Sequence, residues 1–358
     1  MLFGTILRLI LPLSVSGIAA QKHGFFMQKT TLVLLWLACW LPGFVSAQQD
    51  PMLTQFSFNP MLFNPACTGL NDFLSVSATH RQQWLGVEGA PVGQTISAHA
   101  PLSGKRVALG GILLHDKIGA TETFELATAY AYRFPIGKKM QLSAGLQASI
   151  ANWHADWIDV FLEDGIDEVF QNRQSRWLAN FGAGMFLYND HFYAGISSPR
   201  LVEHDLRRAA DGNFELYAKT YRHYYTTIGG SIPLDDNARM VLKPALLLKS
   251  TGWFSSFRRD ERFQNVGSPT ELDLDCSLMF RQTFRLGASW RTAVEKKRSS
   301  ASSANLWAMY YLQNGMRFGA AYDLTLSKLR QATTNSMELV VAYEFNIKVK
   351  KVSSPRYF

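Results

Sequence analysis

The stretch NWHADW sets His154 two residues before Asp156, a spacing at which an imidazole and a carboxylate can share one metal ion. No third ligand lies nearby, and the same pair suits an interfacial loop. His80, His99 and His115 fall at similar heights on three separate strand-like segments. They either converge on one site or serve as polar groups of a wet interior and rim. DVFLEDGIDEVF gathers Asp159, Glu163, Asp164, Asp167 and Glu168, yet it lacks the twelve-residue spacing of an EF-hand. EKKRSSASSA (295–304) and SSFRRDERF (255–263) are basic or mixed loops that could face anionic lipid or a secreted partner. The chain has no G-x-S-x-G, H-E-x-x-H, C-x-x-C or phosphate-binding loop. The expectation is a non-enzyme with no catalytic residue, no metal and no cofactor.

The elements that carry these residues read as strands. MQLSAGLQASI puts Met140, Leu142, Ala144, Leu146, Ala148 and Ile150 on one face, with Gln141, Ser143, Gly145, Gln147 and Ser149 on the other. In TFELATAYAYRF, Phe124, Leu126, Tyr130, Tyr132 and Phe134 oppose Glu125 and Arg133. In ELDLDCSLMF, Leu272, Leu274, Cys276, Leu278 and Phe280 oppose Glu271, Asp273, Asp275 and Ser277. MELVVAYEFNIKVK alternates in the same way. Side chains alternate across a strand, so each segment has one apolar and one wet face.

About fourteen such segments are expected, near 71–84, 92–101, 106–116, 121–134, 139–153, 176–188, 191–198, 222–232, 240–249, 271–281, 283–291, 304–312, 316–324 and 337–350. Tight connections (LSGK, PIGK, YNDH, PLDDN, RQ, QNG) alternate with generally longer ones, such as 154–175, 199–221 and 250–270. An even strand count with short turns at one end and long loops at the other is the plan of an outer-membrane barrel. Trp84, Trp153, Trp157, Trp177, Tyr188, Trp290, Tyr310 and Tyr343 lie at strand ends, where interfacial girdles form. The competing fold is a secreted all-β sandwich or propeller, which the absence of a 40–50-residue repeat disfavours.

Composition agrees with a membrane barrel. The chain of 358 residues is 47% hydrophobic and 18% charged, where soluble proteins usually carry about 25% charged residues. No apolar run after position 50 is long enough for a transmembrane helix. Residues 1–47 read as a secretory leader, and the part from Met27 onward is the better signal. They contain Arg8, Lys22 and Lys29 and no acid, so the net charge of +8 becomes +5 without them. That mild charge is not the footprint of a nucleic-acid binder. Cys67 and Cys276 either pair after export or stand apart, one a buried thiol and the other a lipid-facing small side chain. Residues 48–69 form an Asn-Pro segment, 70–350 the barrel and 351–358 a periplasmic tail.

That front segment contains FNPMLFNPACTG, in which Asn59-Pro60 and Asn64-Pro65 each follow a phenylalanine. Proline removes a donor and keeps the preceding residue out of helical geometry, so this is neither helix nor inner strand. Its apolar residues call for a buried place, either at the periplasmic mouth of the barrel, narrowing it, or packed beneath. Arg81 alternates with Ser77 and Thr79 and should face the lumen. Trp84, Gly86, Gly89 and Pro91 belong to the first external turn.

The mature chain resembles the PorP/SprF family of type IX secretion outer-membrane proteins. The matching stretches are QDPMLTQFSFNPMLFNPACTG, RQQWLGVEGAPVGQTISAHAPL and LLHDKIGATETFELATAYAYRFPIG, the last with Asp116 and Gly119. Cys67 stands where the family pattern has an aromatic residue. The resemblance implies a barrel serving export or surface anchoring of secreted adhesin-like proteins. Implied partners are secreted proteins with a type IX C-terminal domain, periplasmic peptidoglycan-binding or motor components, and outer-membrane lipid. The alternative is an outer-membrane transporter of hydrophobic small molecules, which needs an apolar path through a lumen whose inward positions here are mostly polar.

Overall fold

The computed structural model describes residues 55–71, 73–102, 105–156, 174–206, 219–251, 270–294, 303–326 and 335–345. The leader, Trp157, the acidic stretch 159–170, the loop 255–263, most of 295–304 and the tail lie outside these residues.

Strict alternation yields strands. They are β1 (Ser75–Gln82), β2 (Val92–Pro101), β3 (Val107–Ile118), β4 (Thr121–Ile136), β5 (Met140–Ala155), β6 (Gln174–Tyr188) and β7 (Phe192–Ser198). The second half holds β10 (His223–Gly230), β12 (Met240–Thr251), β13 (Glu271–Phe280), β14 (Phe284–Ala293), β15 (Ser303–Tyr311), β16 (Met316–Thr325) and β17 (Ser336–Glu344). Three two-residue pieces complete the set. β8 (His204–Asp205) pairs β9 (Lys219–Thr220), and β11 (Ile232–Pro233) continues β10 along β12. Pro244 of β12, which lacks an N–H, stands near the interruption at Ser231.

Each of the fourteen long strands pairs antiparallel with its chain neighbours, and β1 pairs β17 with Ser75 opposite Glu344, so the sheet closes on itself. This is the closed fourteen-stranded β-barrel expected. Closure removes the sheet edges, which is the condition for strands to cross a bilayer. Outward positions are apolar and exposed, among them Leu113, Leu126, Leu146, Ile150, Leu274, Leu306 and Leu339. Inward positions are buried and largely polar, including Ser77, Thr79, Arg81, Glu125, Arg133, Asp273, Asp275 and Glu338. Tight turns use the left-handed region where it is needed, at Gly137 and Gly315, and also at Lys105, Arg281 and Gln282.

Two aromatics depart from the girdle reading. Trp153 points inward and is buried, because it shares the parity of Ala151 and Ala155 on β5. Tyr188 packs against Phe186 on the inner side, while Trp177, Trp290, Tyr310 and Tyr343 face outward. Cys67 is buried inside and Cys276 exposed on the outer wall; both are free thiols and they do not pair.

Candidate functional site

The Asn-Pro segment lies inside the barrel. Its two prolines each open a single 3-10 turn, Pro60–Leu62 and Pro65–Cys67, because a fixed φ and a missing N–H suit the first position of such a turn. Asn64 caps the second turn by accepting the Ala66 N–H at 2.9 Å. Thr68 closes it, donating its hydroxyl to Pro65 O at 2.7 Å. These local bonds satisfy a backbone that belongs to neither helix nor sheet, which makes burial affordable.

The wall receives this plug strand by strand. Phe56 joins Phe186, Tyr193, Tyr225 and Leu247, and Phe58 sits edge-on to Trp307 at 5.4 Å beside Met309 and Val340. Met61 is fully buried against Ile112 and Ala127. Burying each such side chain is worth about 1.5–3 kcal/mol. Asn59 donates to Ser77 Oγ at 3.1 Å and Ser97 Oγ at 2.7 Å, and Asn64 donates to Met185 O at 3.1 Å. Ser197 donates to Phe63 O at 2.7 Å, and the Gly69 N–H reaches His99 Nδ1 at 3.0 Å. At Gly145 the Pro65–Ala66 backbone runs so close to β5 that a Cβ would overlap it. At Gly184 a Cβ would overlap the Asn64 side chain. The contacts cluster toward the short-turn ends of the strands, the periplasmic side of an outer-membrane barrel.

Beside and beyond the plug the lumen is an ionic network. Asp275 accepts from Gln55 at 2.6 Å and from the Trp307 indole at 2.8 Å. Asp273 takes a two-pronged contact from Arg291 at 2.7 and 2.8 Å. Arg81 lies 3.8 Å from Asp323 and 3.9 Å from Glu338. Lys249 approaches Glu271 at 3.9 Å, and Arg317 approaches Glu344 at 3.4 Å. The inward acids of β13 are therefore tolerated because cations on β14 and β12 meet them.

Of the residues singled out in the sequence, the structure brings Asn59, Pro60, Asn64 and Pro65 together in the plug and places Arg81 in the lumen. Of the others, Trp84, Gly89, Pro91 and Gly119 make contacts at the long-loop end. Gly119, in the left-handed region between β3 and β4, donates its N–H to Gly89 O at 2.9 Å. The Trp84 N–H reaches Ser336 Oγ at 3.3 Å, and the Gln83 N–H reaches Pro91 O at 2.9 Å. Gly86 also needs positive φ. Asp116 lies beside Gly93, below this contact on β3 and β2.

The histidines do not converge. His99 faces inward to the plug, whereas His80 and His115 face outward and are linked through Gln94 at 3.4 Å on each side. His115 also contacts Glu122 at 2.6 Å and stacks on Phe124. His154 is likewise on the outward face of β5. Among the described residues no three potential ligands gather into a metal site. Sequence reasoning missed the partners of the plug, above all Gly145 and Gly184. The usable signal was a glycine on the wet face of an otherwise regular strand.

The residues following β7 turn into the barrel. Arg200 holds Glu125 of β4 at 2.6 and 3.2 Å, Leu201 N–H donates to Phe181 O at 2.8 Å, and Asn180 exchanges bonds with Val202. Pro199 lies so close to Gly182 that a Cβ there would overlap it.

A Pseudomonas aeruginosa FadL homologue is 13% identical, over 79% of this chain and 93% of its own, with a TM-score of 0.46. The CymD monoaromatic hydrocarbon channel is 11% identical, over 80% and 92%, with a TM-score of 0.43. The KdgM porin is 8% identical, over 76% and 99%, with a TM-score of 0.36. No curated protein matches the chain. Residues 45–343 match the type IX secretion system membrane protein PorP/SprF family. With that match running from ahead of the plug almost to the end of β17, the chain belongs to the PorP/SprF family and is a type IX secretion β-barrel of the outer membrane.

Proposed function

We propose that this barrel assists export or surface anchoring of secreted adhesin-like proteins as a non-catalytic scaffold and not as an open pore. The observation that carries the reading is the plug that closes the lumen. Residues 55–69 are held by apolar anchors, by hydrogen bonds to β1, β2, β4, β6, β7 and β13 and by wall glycines shaped to the segment. A barrel plugged from one side by its own chain has its two ends left for partners. At the external end the Gly89–Gly119 contact and Trp84 form a shaped surface for a secreted protein with a type IX C-terminal domain. At the other end the plug presents a fixed floor to periplasmic peptidoglycan-binding or motor components of the same system.

The test is affinity capture of the tagged protein from native outer membranes in mild detergent, paired with conductance in planar bilayers. Co-capture of a large secreted protein with secretion components, and no steady ion current, is the expected result. A barrel that conducts steadily and brings no protein partner would overturn the reading.

A further inference from the structure

We infer that the outer half of the lumen holds a blind binding site for a neutral, elongated amphiphile, a ligand with an apolar body and hydroxyl or amide groups. Two cavities lie there, with about 700 and 850 Å³ of empty space counting their open mouths. They share Leu114, Glu125 and Arg200, so they adjoin end to end at the Glu125–Arg200 ion pair. The outer part begins at Ile118 and Thr121, where β3 turns into β4. The inner part ends on Leu62 and Phe63 of the plug, which close it from below. Along β4 this runs from Thr121 to Ala127, roughly 20 Å at the rise of a strand.

The lining states the chemistry of the occupant. Leu114, Ile112, Leu178 and Val202 offer an apolar wall. Buried polar atoms in the same lining without a hydrogen-bond partner include the Trp153 indole N–H, Gln147 Oε1, and Nε and Nη1 of Arg81. Their side chains are 5%, 7% and 4% exposed, respectively, so the stranded atoms sit in the wall and not at its rim. A buried donor or acceptor left without a partner is destabilising, and a ligand supplying that partner recovers the loss. Two of the charged groups in the lining are already matched, Glu125 by Arg200 and Arg81 by Asp323 and Glu338. At these two groups a charged ligand meets no uncompensated opposite charge, whereas a neutral one with two or three polar groups satisfies what is stranded. Because the plug forms the floor, such a ligand is held and not passed through. The inference goes beyond the secretion role and stands independently of it.

The experiment uses the full chain in nanodiscs with 1-monolauroylglycerol as probe, followed by native mass spectrometry. The expected result is a saturable one-to-one adduct. Trp153→Phe, which removes the stranded N–H together with part of the ring, should weaken it about tenfold. Ala127→Trp, which fills the inner part, should abolish it, and Leu126→Trp on the lipid-facing wall should leave it unchanged. Lauric acid, the anionic counterpart of the probe, should bind at least tenfold more weakly. Absence of a saturable adduct in the unmodified chain, equal adducts in Trp153→Phe and Leu126→Trp, or tighter binding of lauric acid would each overturn the inference.

Discussion

Replacing Gly145 by valine tests whether the plug is seated by the wall. Valine suits a β-strand, and Gly145 lies on the inner face, so neither the strand nor the lipid contact suffers from the change itself. What suffers is the Pro65–Ala66 backbone, which occupies the place a side chain would need. A flexible side chain could rotate away, but a backbone held by the Asn64 cap and the Thr68 hydroxyl cannot. Overpacking of this kind costs about 1–3 kcal/mol. Converted to population, the unseated plug should become roughly 5- to 150-fold more frequent. Limited proteolysis reads this directly, because cleavage follows the open population when closing is faster than cutting. The plug in the Gly145→Val protein, in nanodiscs, should be cut at 55–69 at least five times faster while the barrel stays intact. Gly111→Val is the control, since a Cβ there meets only Ala127 O at 3.9 Å. Equal cleavage rates in Gly145→Val and the control would refute the close-approach argument.

Other outcomes follow from the same contacts. Arg291→Met leaves Asp273 buried without its two-pronged partner and should destabilise the barrel by about 3–5 kcal/mol, with Asp273→Leu in the same chain restoring most of it; denaturant unfolding from lipid vesicles measures both. Gly119→Val forces a branched residue into the left-handed region at φ 55° and should cost about 1–2 kcal/mol locally. Hydrogen exchange should then show a faster amide at position 119 without a change in the amides of β5. Asp235, in the turn before β12, accepts the Met240 N–H at 2.8 Å, and that bond above all holds its carboxyl below the usual carboxylate range. A depressed folded value means that the turn is fully supported above about pH 4 and loses this support as pH falls through the folded value. Protection of the Met240 amide should fall on acidification, and Asp235→Asn should flatten that dependence.

The sequence by itself determined the barrel. A pleated strand shows its faces at every second residue, so Glu271, Asp273 and Asp275 against Leu272, Leu274 and Cys276 was enough to assign the wet and oily sides of β13. Alternating turn and loop lengths then fixed the strand count. Prolines in FNPMLFNPACTG were enough to exclude helix and inner strand, and its phenylalanines required a buried home. The tertiary structure decided which home. Whether Phe58 meets Trp307, or Asn59 meets Ser77 and Ser97, depends on the register of strands brought together only when β1 closes on β17. The same holds for Trp153, whose place at a strand end suggested the girdle although its parity on β5 turns it inward. Charge pairing was equally illegible, because Arg81 finds Asp323 and Glu338 across a closure more than two hundred residues long in sequence. Local periodicity is written along the chain. Which residue fills the space beside Gly145 is set by distances across the barrel, and those exist only once the ring has closed.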